Sequence, residues 1–190
     1  LIGKRNPLKA LWAMMPAYTT ALGTSSSAAT IPVTLRQTRK NGVSAPVAAF
    51  TVPLCATIHL AGSTSKITAF SLAIIASQGM NVSAMQYAGF IFMLGIVMVA
   101  APGVPGGAIM AATGVLSSML GFNESAIALM IATYIALDPF GTATNVTGDG
   151  AIAIVIDRLA HGKFNDAKAD PENARELSFD GMAYLDKVSV

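Results

Sequence analysis

Long apolar blocks alternate with short polar or glycine- and proline-rich joints along the chain, and four blocks stand out, at 8–35, 44–78, 84–121 and 125–156. The second and fourth exceed the roughly 20 apolar residues a helix needs to cross the hydrocarbon of a bilayer. The first is interrupted by Gly23-Thr24-Ser25-Ser26-Ser27, the third by Pro102-Gly103-Val104-Pro105-Gly106-Gly107, so each half is marginal for a full span. Broken backbone at membrane depth is tolerated only against protein or a water-filled cavity. The two interrupted blocks are therefore expected as re-entrant helical hairpins. The pattern predicts an all-α integral membrane fold in the order hairpin, span, hairpin, span. A broken hairpin followed by a polar-centred span occurs twice, which reads as an inverted repeat of the kind built around discontinuous helices. Beyond His161 the chain turns polar and reads as a solvated end.

Composition sharpens this picture. Hydrophobic residues make up 53% of the 190 and charged residues 12%, against about a quarter charged in a soluble domain. Between Asn41 and Leu137 the only Asp, Glu, Lys or Arg residues are Lys66 and Glu124, too few to cover a water-facing surface. The basic residues gather at block ends: Lys4, Arg5 and Lys9 before the first, Arg36, Arg39 and Lys40 after it, Arg158 and Lys163 after the fourth. A positive-inside bias places these ends, and the C-terminus, in the cytoplasm, and puts the Lys- and Arg-free joints 79–83 and 121–123 outside. The net charge of +2 gives no sign of a nucleic-acid partner. The single cysteine, Cys55, lies in an apolar run and reads as a small packed hydrophobe. The chain begins at Leu1 and runs at once into basic sequence, so further protein is expected before it.

Candidate chemistry sits inside the apolar blocks. Asp138, Thr142, Asn145 and Asp149 recur at helical spacing and form one stripe. Two carboxylates inside a membrane helix are costly enough to demand partners: a cation, a substrate amine or basic side chains. The milder reading is helix–helix adhesion, which Thr and Asn alone would serve. In the second block His59, Ser63 and Lys66 share a face around the weakly helical run Ala61-Gly62-Ser63-Thr64-Ser65, which is expected to unwind and free carbonyls for an ion. Lys66 reads either as a functional charge or as a snorkelling one, and His59 as a titrating group or a fixed hydrogen-bonding one. The Ser25-Ser26-Ser27 tip offers hydroxyls and free N–H groups to a carboxylate. The glycine-rich tip at 103–107 suits a moving gate. Simple turn-making would also account for both tips.

These residues, taken in order, resemble the C-terminal half of the dicarboxylate/amino acid:cation symporters, the glutamate transporter family. The matching pieces are Thr24-Ser25-Ser26-Ser27 with Thr30-Ile31-Pro32-Val33-Thr34, then Pro53-Leu54-Cys55-Ala56-Thr57-Ile58, then Gly103-Val104-Pro105-Gly106-Gly107, then Asp138 through Asn145-Val146-Thr147-Gly148-Asp149. The resemblance implies a transport-domain fragment over 1–163, with hairpin 1 at about 8–40, helix 7 at about 44–78, hairpin 2 at about 84–121 and helix 8 at about 125–158, followed by a polar cytoplasmic tail at 164–190. It implies an elevator-type carrier in the plasma membrane, trimeric through an N-terminal scaffold outside this chain. Asp138 would hold a substrate ammonium, and Ser27 and Asn145 a substrate carboxylate. Ser26, Ser63, Val104, Gly106 and Thr142 would complete the substrate site. Thr57, through its carbonyl, and His59, Asn145 and Asp149 would stand at sodium sites.

Departures from the family pattern matter as much. The helix 7 signature Asn-Met-Asp-Gly-Thr reads His59-Leu60-Ala61-Gly62-Ser63 here, so one carboxylate is lost and an Asn ligand has become His. The helix 8 Arg that pairs with an acidic substrate's side chain is Gly141, and the hairpin position that can carry a substitute is Ser25. The expectation is sodium-coupled uptake of a neutral or small polar amino acid, with proton coupling through His59 as the alternative ion. Two rivals stay within transport: a dicarboxylate or acidic amino acid symporter with Lys66 as counter-charge, and a substrate-gated channel. A membrane hydrolase with Ser26, His59 and Asp138 as a triad is a rival from another class, and it lacks a nucleophile elbow.

Overall fold

A computed structural model describes Gly3 and residues 5–160; Lys4, Lys163 and the tail at 164–190 lie outside the described residues. The fold among them is all helical: α1 (Pro7–Thr24), α2 (Ser27–Lys40), α3 (Ala45–Ile58), α4 (Ala61–Ser77), α5 (Ala84–Met98), α6 (Gly107–Leu120), α7 (Glu124–Ala136) and α8 (Asp138–Leu159).

Local chemistry sets most of the ends. Asn6 caps α1 by accepting from the Leu8 and Lys9 N–H groups, ahead of Pro7, whose missing N–H is no loss at a first turn. Ser25 then takes a left-handed conformation, φ 50°, and Ser26 caps α2 through the Ala29 N–H. Two helices thus meet tip to tip with only Ser25 and Ser26 between them. Ser83 and Asn123 cap α5 and α7 in the same manner. The α3 N-terminus is closed from a distance, the Ser44 N–H donating to Asp157 Oδ1 of α8 at 2.9 Å.

The second block is broken at His59 and Leu60, which leave helical geometry, but α3 and α4 still run on as one apolar rod over Ala45–Ser77. The break falls before the Gly62-Ser63-Thr64-Ser65 run, which is helical rather than unwound. Thr64 and Thr68 return their hydroxyls to the carbonyls one turn back, at 2.8 and 2.9 Å, so these polar side chains are satisfied within the helix. The fourth block forms two helices, α7 and α8, that meet at Leu137 with a bend of 62°. By length and composition α3–α4 is long enough to cross a membrane, and α7–α8 is too if the bent pair is one span. The shorter apolar helices α5 and α6, of 15 and 14 residues, reach only about 22 Å at 1.5 Å per residue, less than the roughly 30 Å of hydrocarbon.

The helices pack in two groups. α8 lies against α1, α2, α3 and α4, while α4 also lies against α5, α6 and α7. The main apolar core, including Ile67, Phe90, Leu94, Leu116 and Met130, belongs to the second group. The interior of the first group is unusually polar: Thr30, Thr34, Asn145 and Asp149 are all buried. The exterior is correspondingly apolar, with Trp12 78%, Phe92 73% and Met85 82% exposed. Polar residues inside and large apolar ones outside suit an environment of lipid and neighbouring helices rather than water.

Candidate functional site

The two tips meet. Gly103, in the α5–α6 connection, accepts at its carbonyl from the Ala28 N–H at 3.1 Å and the Ser26 hydroxyl at 2.9 Å. A side chain at 103 would collide with the Ala56 carbonyl of α3, so only glycine lets the second tip lie this close. The α8 N-terminus adjoins the contact, and the Gly106 N–H donates to Asp138 Oδ2 at 2.9 Å. Between the tips and α8 lies a cavity of about 10 Å³ whose lining includes Ser27, Ser63, Val104, Asp138, Thr142 and Asn145. That is room for about one water, so the site is shut.

Most substrate residues expected from the sequence thus border one cavity. Ser26 braces the tips instead, and Gly106 acts through its backbone. Asn145 is held on both sides of its amide: Oδ1 accepts from the Gly62 N–H at 2.8 Å, and Nδ2 donates to Ser63 Oγ at 3.1 Å. Thr142 returns its hydroxyl to the Asp138 carbonyl at 3.1 Å.

Both stripe carboxylates have basic partners, and both partners come from the second block. Lys66 Nζ lies 3.2 Å from Asp138 Oδ1 and 3.1 Å from the Leu137 carbonyl. It also sits 3.8 Å above the centre of the Tyr134 ring, a cation–π arrangement. His59 Nδ1 lies 2.8 Å from Asp149 Oδ1. Tyr134, which the sequence reading did not single out, borders the same cavity. It stands four residues before Asp138 but on α7, across the bend at Leu137, so the helical spacing of the α8 stripe does not lead to it.

The ion residues separate. His59 and Asp149 touch, Asn145 is one turn away on α8, and the Thr57 side chain is exposed, its hydroxyl donating to the Leu54 carbonyl at 2.9 Å. Asp149 is 1% exposed and its Oδ2 has no hydrogen-bond partner among the described residues. An unpartnered buried carboxylate oxygen is a fit for a hard cation such as sodium. The hydrolase triad is not assembled: Ser26 is spent on Gly103, and His59 faces Asp149, not Asp138.

Residues 1–159 match the model of the sodium:dicarboxylate symporter family. Excitatory amino acid transporter 4 of Mus musculus is 32% identical over 163 residues, covering 84% of this chain and 28% of the relative. Excitatory amino acid transporter 1 of Homo sapiens is 29% identical over 175 residues, covering 92% of this chain and 32% of the relative. Neutral amino acid transporter B(0) of Rattus norvegicus is 28% identical over 163 residues, covering 83% and 29%. The chain therefore spans under a third of the length of these relatives. The match across nearly all described residues, on a helical scaffold that closes two tips over a polar stripe, is that of transporters and not of enzymes, and the chain belongs to the sodium:dicarboxylate symporter family.

Proposed function

We propose that this chain is the substrate- and ion-binding part of a cation-coupled secondary carrier for a small carboxylate, an amino acid or a dicarboxylate. The observation that carries the reading is the shut polar cavity where both tips meet Asp138 and Asn145. A substrate carboxylate would be received by Ser27 at the α2 N-terminus and by Asn145. Since the cavity holds about one water, loading requires the tips to part, and the 103–107 tip is the gate. The expectation of a neutral substrate rested on finding no cation in the site. Lys66 reaches Asp138, one of the residues that line the cavity, which supports the rival in which Lys66 is the counter-charge.

The helix pairs support an inverted repeat of two re-entrant hairpins. Exchanging α1–α4 for α5–α8 maps α1·α2 onto α5·α6, α2·α3 onto α6·α7, and α3·α8 onto α7·α4, and each of these pairs is in contact. Arg5, which bonds the Asn41 and Gly42 carbonyls, and the Ser44–Asp157 contact gather the base of α1–α2, the start of α3 and the end of α8 at one end. In the positive-inside sense that end is cytoplasmic in a multi-pass plasma-membrane protein. A trimer formed through an N-terminal scaffold and an elevator movement complete the proposal. Sodium held by Asp149, with Asn145 near it, would neutralise that buried carboxylate. Proton coupling through the His59–Asp149 pair is the alternative.

The test is uptake of labelled aspartate, serine and succinate by the full-length protein in proteoliposomes, under a sodium or a proton gradient. Driven uptake should fall at least about 100-fold in Asp138→Ala and Asp149→Ala, since misplaced binding groups cost that much. Uptake indifferent to both substitutions would sink the site. A second prediction concerns the gate. Gly103→Ala should cost closure about 1–3 kcal/mol through overpacking against the Ala56 carbonyl, lowering the uptake rate and raising protease cleavage at the tip. Unchanged cleavage with normal uptake would show that the tips need not close in this way.

A further inference from the structure

Lys66 does more than reach Asp138; it is held by groups of the kind that hold a bound amine, at the edge of the tip cavity that Asp138 and Tyr134 line. Its ammonium has three attractive neighbours: Asp138 Oδ1 at 3.2 Å, the Leu137 carbonyl at 3.1 Å and the Tyr134 ring at 3.8 Å. A carboxylate, a carbonyl and an aromatic face are the surroundings a protein offers a bound primary amine. The stem arrives through a gap on α8 that only glycine leaves open. A side chain at Gly141 would collide with Lys66 Cε and approach Nζ to 2.7 Å. The other oxygen of Asp138 is taken by the Gly106 N–H at 2.9 Å.

We propose that Lys66 is a tethered substitute for a substrate ammonium, and that it sets specificity by excluding carboxylates that carry an α-amino group. The inference rests on the carrier reading above and names the substrate class within it: carboxylates without an amine. An incoming ammonium finds both oxygens of Asp138 already engaged, by Lys66 and by the Gly106 N–H, and a like charge already in place. It would have to eject Lys66 into a partly buried, apolar setting where an unpaired charge is costly. A carboxylate without an amine meets no such conflict, and the Lys66–Asp138 pair stays intact beneath it. The same geometry explains how a membrane interior tolerates Asp138 while the site is empty of substrate: its counter-ion is built in.

The experiment uses matched pairs that differ only in the amine, succinate against aspartate and 3-hydroxypropionate against serine. Each competes for uptake of labelled succinate and of labelled serine by the full-length protein in proteoliposomes. In the unmodified protein the amine-free member should win in whichever pair is transported, by about tenfold or more, as expected when a buried polar group has no partner to offer the wrong ligand. Lys66→Met keeps the length of the side chain and removes its charge. It should free Asp138 and shift the preference towards the amine-bearing member by about tenfold or more. Equal or better inhibition by aspartate and serine in the unmodified protein overturns the proposal, even if Lys66→Met does not fold. So does a preference that survives Lys66→Met unchanged. Uptake of no member of either pair would overturn the carrier reading itself, and this proposal with it.

Discussion

Replacing Gly62 by valine should abolish uptake, by at least about 100-fold, with alanine intermediate. Gly62 is where α4 crosses α8. A Cβ there would stand 2.5 Å from the Gly141 carbonyl oxygen, 2.8 Å from Thr144 Cβ and 3.2 Å from Asn145 Oδ1. Two of those three atoms belong to backbone or to a stiff branched side chain, so the strain cannot be shed by rotating a flexible terminus. The helices must move apart. Three contacts of the site depend on this crossing: the Gly62 N–H to Asn145 at 2.8 Å, Asn145 to Ser63 at 3.1 Å, and Lys66 to Asp138 at 3.2 Å. Small residues at membrane helix crossings let backbones approach, and a displacement of about 1 Å at binding groups costs roughly a hundredfold in rate. The measurement is uptake normalised to protein in the membrane. A Gly62→Val variant that transports normally would mean that α4 and α8 are not in close contact during the cycle.

The hydrophobic pattern carries the helical class, because interrupted apolar blocks have few other solutions. The stripe on α8 was legible for the same reason: Asp138, Thr142, Asn145 and Asp149 lie on one element, and helical spacing alone aligns them. The bend at Leu137 was legible too, in a signal the apolar continuity masked. Asp138-Pro139 is a helix start, since Pro139 has no N–H for a carbonyl one turn back and restricts the residue before it. Reading through it merged two helices into one block.

The ion pairs were not legible. His59 and Asp149 are separated by 90 positions, Lys66 and Asp138 by 72, and no local rule pairs residues so far apart. What joins them is the closeness of the α3–α4 rod to α8. That closeness is written in glycines: side chains at Gly62, Gly141 and Gly148 would collide with Asn145 and the Gly141 backbone, with Lys66, and with His59 respectively. Gly141 and Gly148 lie beside the polar stripe in the sequence, but a sequence does not say what approaches them. The loss of the family's Asn, Asp and Arg residues at 59, 61 and 141 looked like missing parts. In the fold two of these changes come with new contacts, His59 facing Asp149 and Lys66 filling the room left by Gly141.

That compensation makes a measurable claim about Asp149. Its Oδ1 is held by His59 at 2.8 Å, while its Oδ2 is buried without a partner among the described residues. His59→Ala would leave both oxygens unpartnered in a side chain only 1% exposed. Breaking a buried pair from one side costs about 3–5 kcal/mol; with His59 still 24% exposed, solvent screening reduces this to about 2 kcal/mol. The purified full-length protein should therefore melt several degrees lower in sodium-free buffer. Sodium should then stabilise the variant more than the unmodified protein, because the ion would find two open oxygens where it previously found one, and ligand-linked stabilisation grows with affinity as RT ln(1 + [L]/Kd). If sodium raised the melting temperature of both proteins equally, His59 and the ion would not compete for Asp149. If His59→Ala cost nothing even without sodium, the histidine would be a bystander and the Asp149 carboxyl would draw its stability from elsewhere.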